Sequence, residues 1–137
     1  PNLAEAEALC KFPHMPSKTA GKDDQRLEKM GRAILERTQA EHAIITCGEW
    51  GMVSLSPGET RVTRIPTFAR AVYDVTGAGD TVISVLSMMR VLGYPLPECM
   101  RVANAAAGIV VGQIGAASVT PLELETELRR LRDAGMF

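Results

Sequence analysis

The stretch 72-VYDVTGAGDTVISVL-86 constrains this chain most. Gly77 and Gly79 stand between Asp74 and Asp80, immediately before an apolar run. Glycine takes positive φ at little steric cost and leaves its N–H open to approach. From Gly79 or Asp80 to about Leu92 the residues suit a helix, which stops at 93-GYP-95. A helix start adds unpaired N–H groups and the positive end of a dipole. That combination holds an anion, phosphate above all. A plainer reading also stands: a glycine turn with an aspartate as the helix cap.

The stretch is not a Walker A loop, because no GxxxxGK[ST] occurs, and Val82 replaces the third glycine of GxGxxG. A carboxylate at position 80 would repel a passively held phosphate. It becomes coherent if Asp80 takes a proton from a hydroxyl attacking a phosphoryl group. An ionised, weakly basic carboxylate suffices there, since the transition state is loose and positioning dominates. The developing charge would fall on the N–H groups of Gly77, Ala78 and Gly79. Asp74 can bind a cation or brace the loop.

The rest of the chain reads as one layered α/β unit over residues 1–137. Residues 3–9 suit a helix and 12–23 a loop. A helix over about 24–40 would bury Leu27, Met30, Ile34 and Thr38, with Arg26 and the other charges on a solvated face. Strands are expected at 43–47, 52–56 and 61–65, the first two joined at 48-GEWG-51, and a short one at 70–74. A helix over 97–114 is rich in alanine and glycine, Gly108 among them, which lets backbone or a flat ligand come close. Thr120, Pro121 and Glu123 open the last helix with a capping box. Tyr73 and Trp50 read as packing residues rather than base-stacking platforms.

The net charge of −1 argues against broad binding to nucleic acid or an anionic membrane. Cys10, Cys47 and Cys99 are widely spaced, which suits reduced, buried thiols of a cytoplasmic protein. No apolar run approaches a membrane span.

The run 74-DVTGAGDT-81 resembles the C-terminal signature of the ribokinase, or PfkB-type, carbohydrate kinases. Three more elements follow the family in order and spacing. Pro1-Asn2 with Glu5 resembles its NxxE element, 46-TCGEWG-51 the turn beside the nucleotide, and 103-ANAAAGIVVGQIGAASVTP-121 the helix and loop over adenine. The wording PNLAEAEA, YDVTGAGDTVI and ANAAAGIVVGQIGAASVTPLEL is most similar to the heptose 7-phosphate kinase branch of ADP-heptose synthesis.

The resemblance implies a ribokinase-like α/β/α unit, its short β-meander and helices forming the C-terminal half. It implies an enzyme using ATP and Mg²⁺ on a sugar or sugar phosphate, with K⁺ as a further ion and a homodimer as a family habit. Asp80 is implied as general base, with Gly77, Ala78 and Gly79 as the anion hole. Thr46, Gly48, Asn104, Asn2 and Gly108 fall to the nucleotide, and Glu5 to Mg²⁺ through water. Asp74, Thr76, Val111, Gly115 and Ser118 fall to a monovalent cation. Each has a plainer reading: Asn2 as cap of the first helix, Thr46 as a strand residue, Asn104 as a packing hydrogen bond.

The family's sugar-binding half and lid lie upstream of the NxxE element, and nothing here corresponds to them; no HxGH of a nucleotidyltransferase follows either. A fragment that phosphorylates little by itself is therefore expected. Two other readings stand beside the heptose phosphate: a kinase of this fold for a ketohexose, nucleoside or keto-deoxy acid, and a non-catalytic nucleotide-binding module.

Overall fold

The computed structural model describes residues 1–115 and 117–137, and the chain divides into two compact units, 1–66 and 67–137. In the first unit, α1 (Leu3–Cys10) and α3 (Asp24–Thr38) lie against a sheet of β1 (Ala43–Thr46), β2 (Met52–Leu55) and β3 (Thr63–Ile65). The sheet is an antiparallel meander in the order β1-β2-β3, with Ala43 opposite Leu55 and Met52 opposite Ile65. A 3₁₀ turn, Gly48–Trp50, joins β1 to β2.

The core of this unit gathers Leu3, Ala6, Leu27, Met30, Ile34, Ile45 and Val53. The helical spacing of Leu27, Met30 and Ile34 therefore does what it predicts. Thr38 does not join them. It is exposed, and its hydroxyl donates back to the Ile34 carbonyl at 2.8 Å. The strand expected at 52–56 is β2, and all four of its residues are buried although its sequence alternates. The expected loop 12–23 contains one helical turn, α2 (Ser17–Ala20).

Arg26 is a further correction, since it is not on the solvated face. It donates to the buried carboxylate of Glu7 at 3.1 Å and to the Pro13 carbonyl. Glu7 also receives the Met15 N–H at 3.2 Å and contacts His14 Nδ1 at 2.8 Å. Burial pushes the Glu7 carboxyl up, but the hydrogen bonds of His14, Arg26 and Met15 outweigh it and hold it below the usual range. A buried charge survives only when paired in this way.

The second unit is helical: α4 (Ala78–Val91) packs along α5 (Leu96–Val111), which packs on α6 (Pro121–Asp133). Cys99, Met100, Ala103, Ala106, Val110 and Leu131 are its fully buried side chains. Thr120 and Glu123 form the expected capping box. Residues 70–74 form no strand. They run along the end of α5, where the Tyr73 and Asp74 N–H groups donate to the Val111 carbonyl at 2.8 and 3.3 Å. Tyr73 points out to solvent rather than packing, being 69% exposed. Cys47 and Cys99 are buried and Cys10 half-buried, none in a disulfide; burial raises the Cys47 thiol to about 11. Among the described residues no helix is long and apolar enough to cross a membrane.

Candidate functional site

Gly77 is the N-cap of α4, with φ 80° and ψ −6°. Only glycine adopts that left-handed conformation without a Cβ penalty of roughly 1–2 kcal/mol. The helix thus begins at Ala78, earlier than the sequence pattern suggests. Asp80 becomes its third residue and is no cap. No side chain caps this helix, and the exposed Asp80 carboxylate has no partner among the described residues.

The backbone donors divide unequally. The Ala78 N–H donates to the Val75 carbonyl at 3.2 Å, which removes it from the three-donor set expected from sequence. Thr81 secures the turn by donating its N–H and hydroxyl to the Gly77 carbonyl, each at 2.9 Å. Gly77, Gly79 and Asp80 keep N–H groups without a partner among the described residues. A Cβ on Gly77 or Gly79 would meet nothing within 4 Å, so an incoming group has room beside them. The turn fits an anion, and the free carboxylate beside it fits a proton acceptor.

Asp74 braces the loop, one of the two roles open to it from sequence. Its Oδ1 accepts the Thr76 N–H at 2.9 Å and its Oδ2 the Gly115 N–H at 3.2 Å. Hydrogen bonds from the Thr76 side chain and N–H, and then from Gly115, hold its carboxyl below the usual range. Asp74, Thr76, Val111 and Gly115 are linked by these bonds and by those to the Val111 carbonyl, while Ser118 is exposed and shares none of them. The Val111 carbonyl already accepts two N–H groups, so both lone pairs are used and it does not fit a K⁺ ligand.

In the first unit the structure assembles Asn2, Glu5 and Thr46. Asn2 caps α1: its Oδ1 accepts the Glu5 N–H at 2.9 Å, and Glu5 Oε2 accepts the Asn2 N–H at 2.8 Å. Asn2 also bridges in parallel to Thr46, whose N–H donates to the Pro1 carbonyl at 3.0 Å. The plain capping role of Asn2 is thus fulfilled. Glu5 Oε1 has no partner among the described residues, which fits a carboxylate reaching Mg²⁺ through water. Gly48, at φ 58°, is exposed beside Thr46 with nothing near its missing Cβ. Among the described residues no three His, Cys, Asp or Glu side chains form a metal cluster.

Asn104 is buried in α5 and has a partner of its own. Gly108 faces protein rather than open space: a Cβ there would stand 3.2 Å from the Ala69 nitrogen. That close approach explains a glycine inside a helix, where it costs about 1 kcal/mol relative to alanine. Trp50 is partly buried against the core, with Lys22 Nζ 4.0 Å from its ring centroid.

Comparison with known proteins bears on the same motifs. The chain is 46% identical over 124 residues to the bifunctional protein HldE of Methylococcus capsulatus, covering 90% of this chain and 24% of that one. It is 43% identical over 137 residues to HldE of Pectobacterium carotovorum, covering 98% and 26%. The chain thus spans about a quarter of these relatives' length. Among solved structures it resembles a ribokinase of Thermotoga maritima at TM-score 0.77 and 27% identity, covering 94% of this chain and 41% of the other. Phosphofructokinase-2 of Escherichia coli shares the fold at TM-score 0.78 and 16% identity, covering 96% and 40%. The fold is ribokinase-like, as the motifs implied. The model of the pfkB family carbohydrate kinases matches residues 1–123, and the chain belongs to that family.

Proposed function

We propose that this chain supplies the catalytic base and the phosphoryl-binding turn of an ATP-dependent sugar kinase. One observation carries the reading: the Asp80 carboxylate stands unpartnered in the first turn of a helix whose glycine cap leaves N–H groups open. A carboxylate serving only as a cap would be bonded.

In the proposed reaction the sugar hydroxyl oxygen forms a bond to the γ-phosphorus of ATP. The bond from that phosphorus to the bridging oxygen breaks, ADP leaves, and the hydroxyl proton passes to Asp80. The N–H groups of Gly77, Gly79 and Asp80 receive charge building on the transferring oxygens. Glu5 would hold Mg²⁺ through water, and the ion would neutralise the ATP phosphates. Asn2, Thr46, Gly48 and Asn104 remain nucleotide contacts in this reading. The free thiols suit the cytoplasm.

A heptose phosphate is the acceptor we favour. The HldE relatives stand at 43–46% identity, against 27% for the ribokinase. In the intact gene product, Asp80→Asn should lower kcat by about 10³-fold while ATP affinity, measured by calorimetry, stays within about twofold. Near-parental turnover would remove Asp80 as the base. A panel of heptose 7-phosphate, ribose and fructose 6-phosphate decides the acceptor.

A further inference from the structure

We infer that Gly108 is a positioning residue for the Asp80 turn: the bare backbone of α5 at this point seats residues 68–74, which deliver the turn. The inference rests on the kinase reading for its catalytic part. The seat itself is visible without it. A Cβ on Gly108 would lie 3.2 Å from the Ala69 nitrogen, 3.4 Å from the Ala69 Cα and 3.5 Å from the Phe68 carbonyl carbon. The Ala69 nitrogen is closer than ordinary contact, and because it is a backbone atom the segment itself, rather than a rotamer, must give by a few tenths of an ångström.

The same segment is registered on α5 further along. The Val111 carbonyl receives the Tyr73 and Asp74 N–H groups, and the Gly115 N–H donates to Asp74. Positions 108 and 111 share one helix face, three residues apart. From the other side Arg70 reaches Glu127 of α6 at 3.3 Å. The buried Phe68 ring lies 6.2 Å from that of Phe137. Five residues then separate Asp74 from Asp80, and Asp74 itself accepts the Thr76 N–H. A displacement at Ala69 therefore passes to the turn that carries the base. Catalytic groups work only within about 0.5 Å of their productive positions.

The test is Gly108→Ala. In the 137-residue chain, amide exchange at Tyr73 and Asp74 should accelerate about tenfold, while Ala105 and Ala106 change by less than about twofold. In the intact gene product kcat per folded molecule should fall about tenfold with KM for ATP and acceptor within about twofold, the folded fraction being read from an unfolding curve so that loss of folded protein is counted separately. Parental exchange at residues 73 and 74 overturns the seat. Faster exchange with parental kcat overturns the positioning role. A gene product without kinase activity overturns that role together with the kinase reading, while exchange still judges the seat. If Gly108→Ala does not fold, Arg70→Ala loosens the exposed tether. A roughly threefold change in exchange and kcat then supports the inference, and none overturns it.

Discussion

Helices α1, α4 and α6 each carry an acidic residue at their third position: Glu5, Asp80 and Glu123. Two of the three close their own N-termini. Glu5 accepts the Asn2 N–H, and Glu123 accepts the Thr120 N–H and hydroxyl at 2.8 and 2.6 Å. Their caps accept in return from the third-residue N–H. In α4 the cap is Gly77, without a side chain, and the acid is one methylene shorter and unbonded. A missing cap costs about 1 kcal/mol. Helix α5 also starts without a side-chain cap, at Pro95 and with Glu98 as its third residue, but α4 is the uncapped start whose glycine turn sets open N–H groups beside a free carboxylate, as suits a phosphoryl group.

The largest expected effect comes from making α4 resemble the other two. Asp80→Glu lengthens the acid until it can reach back to the Gly77 N–H. Turnover of the intact gene product should fall at least about 10²-fold, while the unfolding temperature holds or rises. Full activity in that variant would break the comparison.

Glu5→Gln asks whether α1 is only capped. Glutamine serves equally well at the third position, so stability should change by less than about 0.5 kcal/mol. The Mg²⁺ concentration giving half-maximal rate should rise about tenfold if Glu5 also steadies the ion. An unchanged Mg²⁺ requirement would leave Glu5 with capping alone.

The smallest effect belongs to α6. Thr120→Ala should cost about 1 kcal/mol in denaturant unfolding and leave kcat within about twofold. Hydrogen bonds from the Thr120 side chain and N–H hold the Glu123 carboxyl below its ordinary 4.5. A folded value below the unfolded one adds stability above pH 4.5, lost as pH falls through the folded value. The deficit of Thr120→Ala should therefore shrink between about pH 7 and about pH 3. A deficit independent of pH would show that Glu123 contributes nothing to this cap.

Much of this was legible locally. The α6 box follows from Thr120, Pro121 and Glu123, and the buried stripe of α3 from the spacing of Leu27, Met30 and Ile34. Residues 70–74 depart from the expected strand because a short segment holding Val72 and Tyr73 looks alike whether its N–H groups meet a strand or the end of a helix. Arg26 was misread because a charge on a helix is exposed by default, and its partner Glu7 lies 19 residues away. The start of α4 was placed late because Gly77 serves as cap through its dihedral angles, with no side chain to announce it.

By itself the sequence determined the family, the order of the elements and the candidate base. Glycines, carboxylates and helix caps act within a few residues of one another, so their chemistry survives in one dimension. Only the tertiary structure decided that Asp80 is free while Glu5 and Glu123 are bonded, that Val111 is spent on two N–H groups, and that Gly108 faces Ala69. Those outcomes depend on where a remote backbone passes, and residue spacing along the chain carries no record of that path.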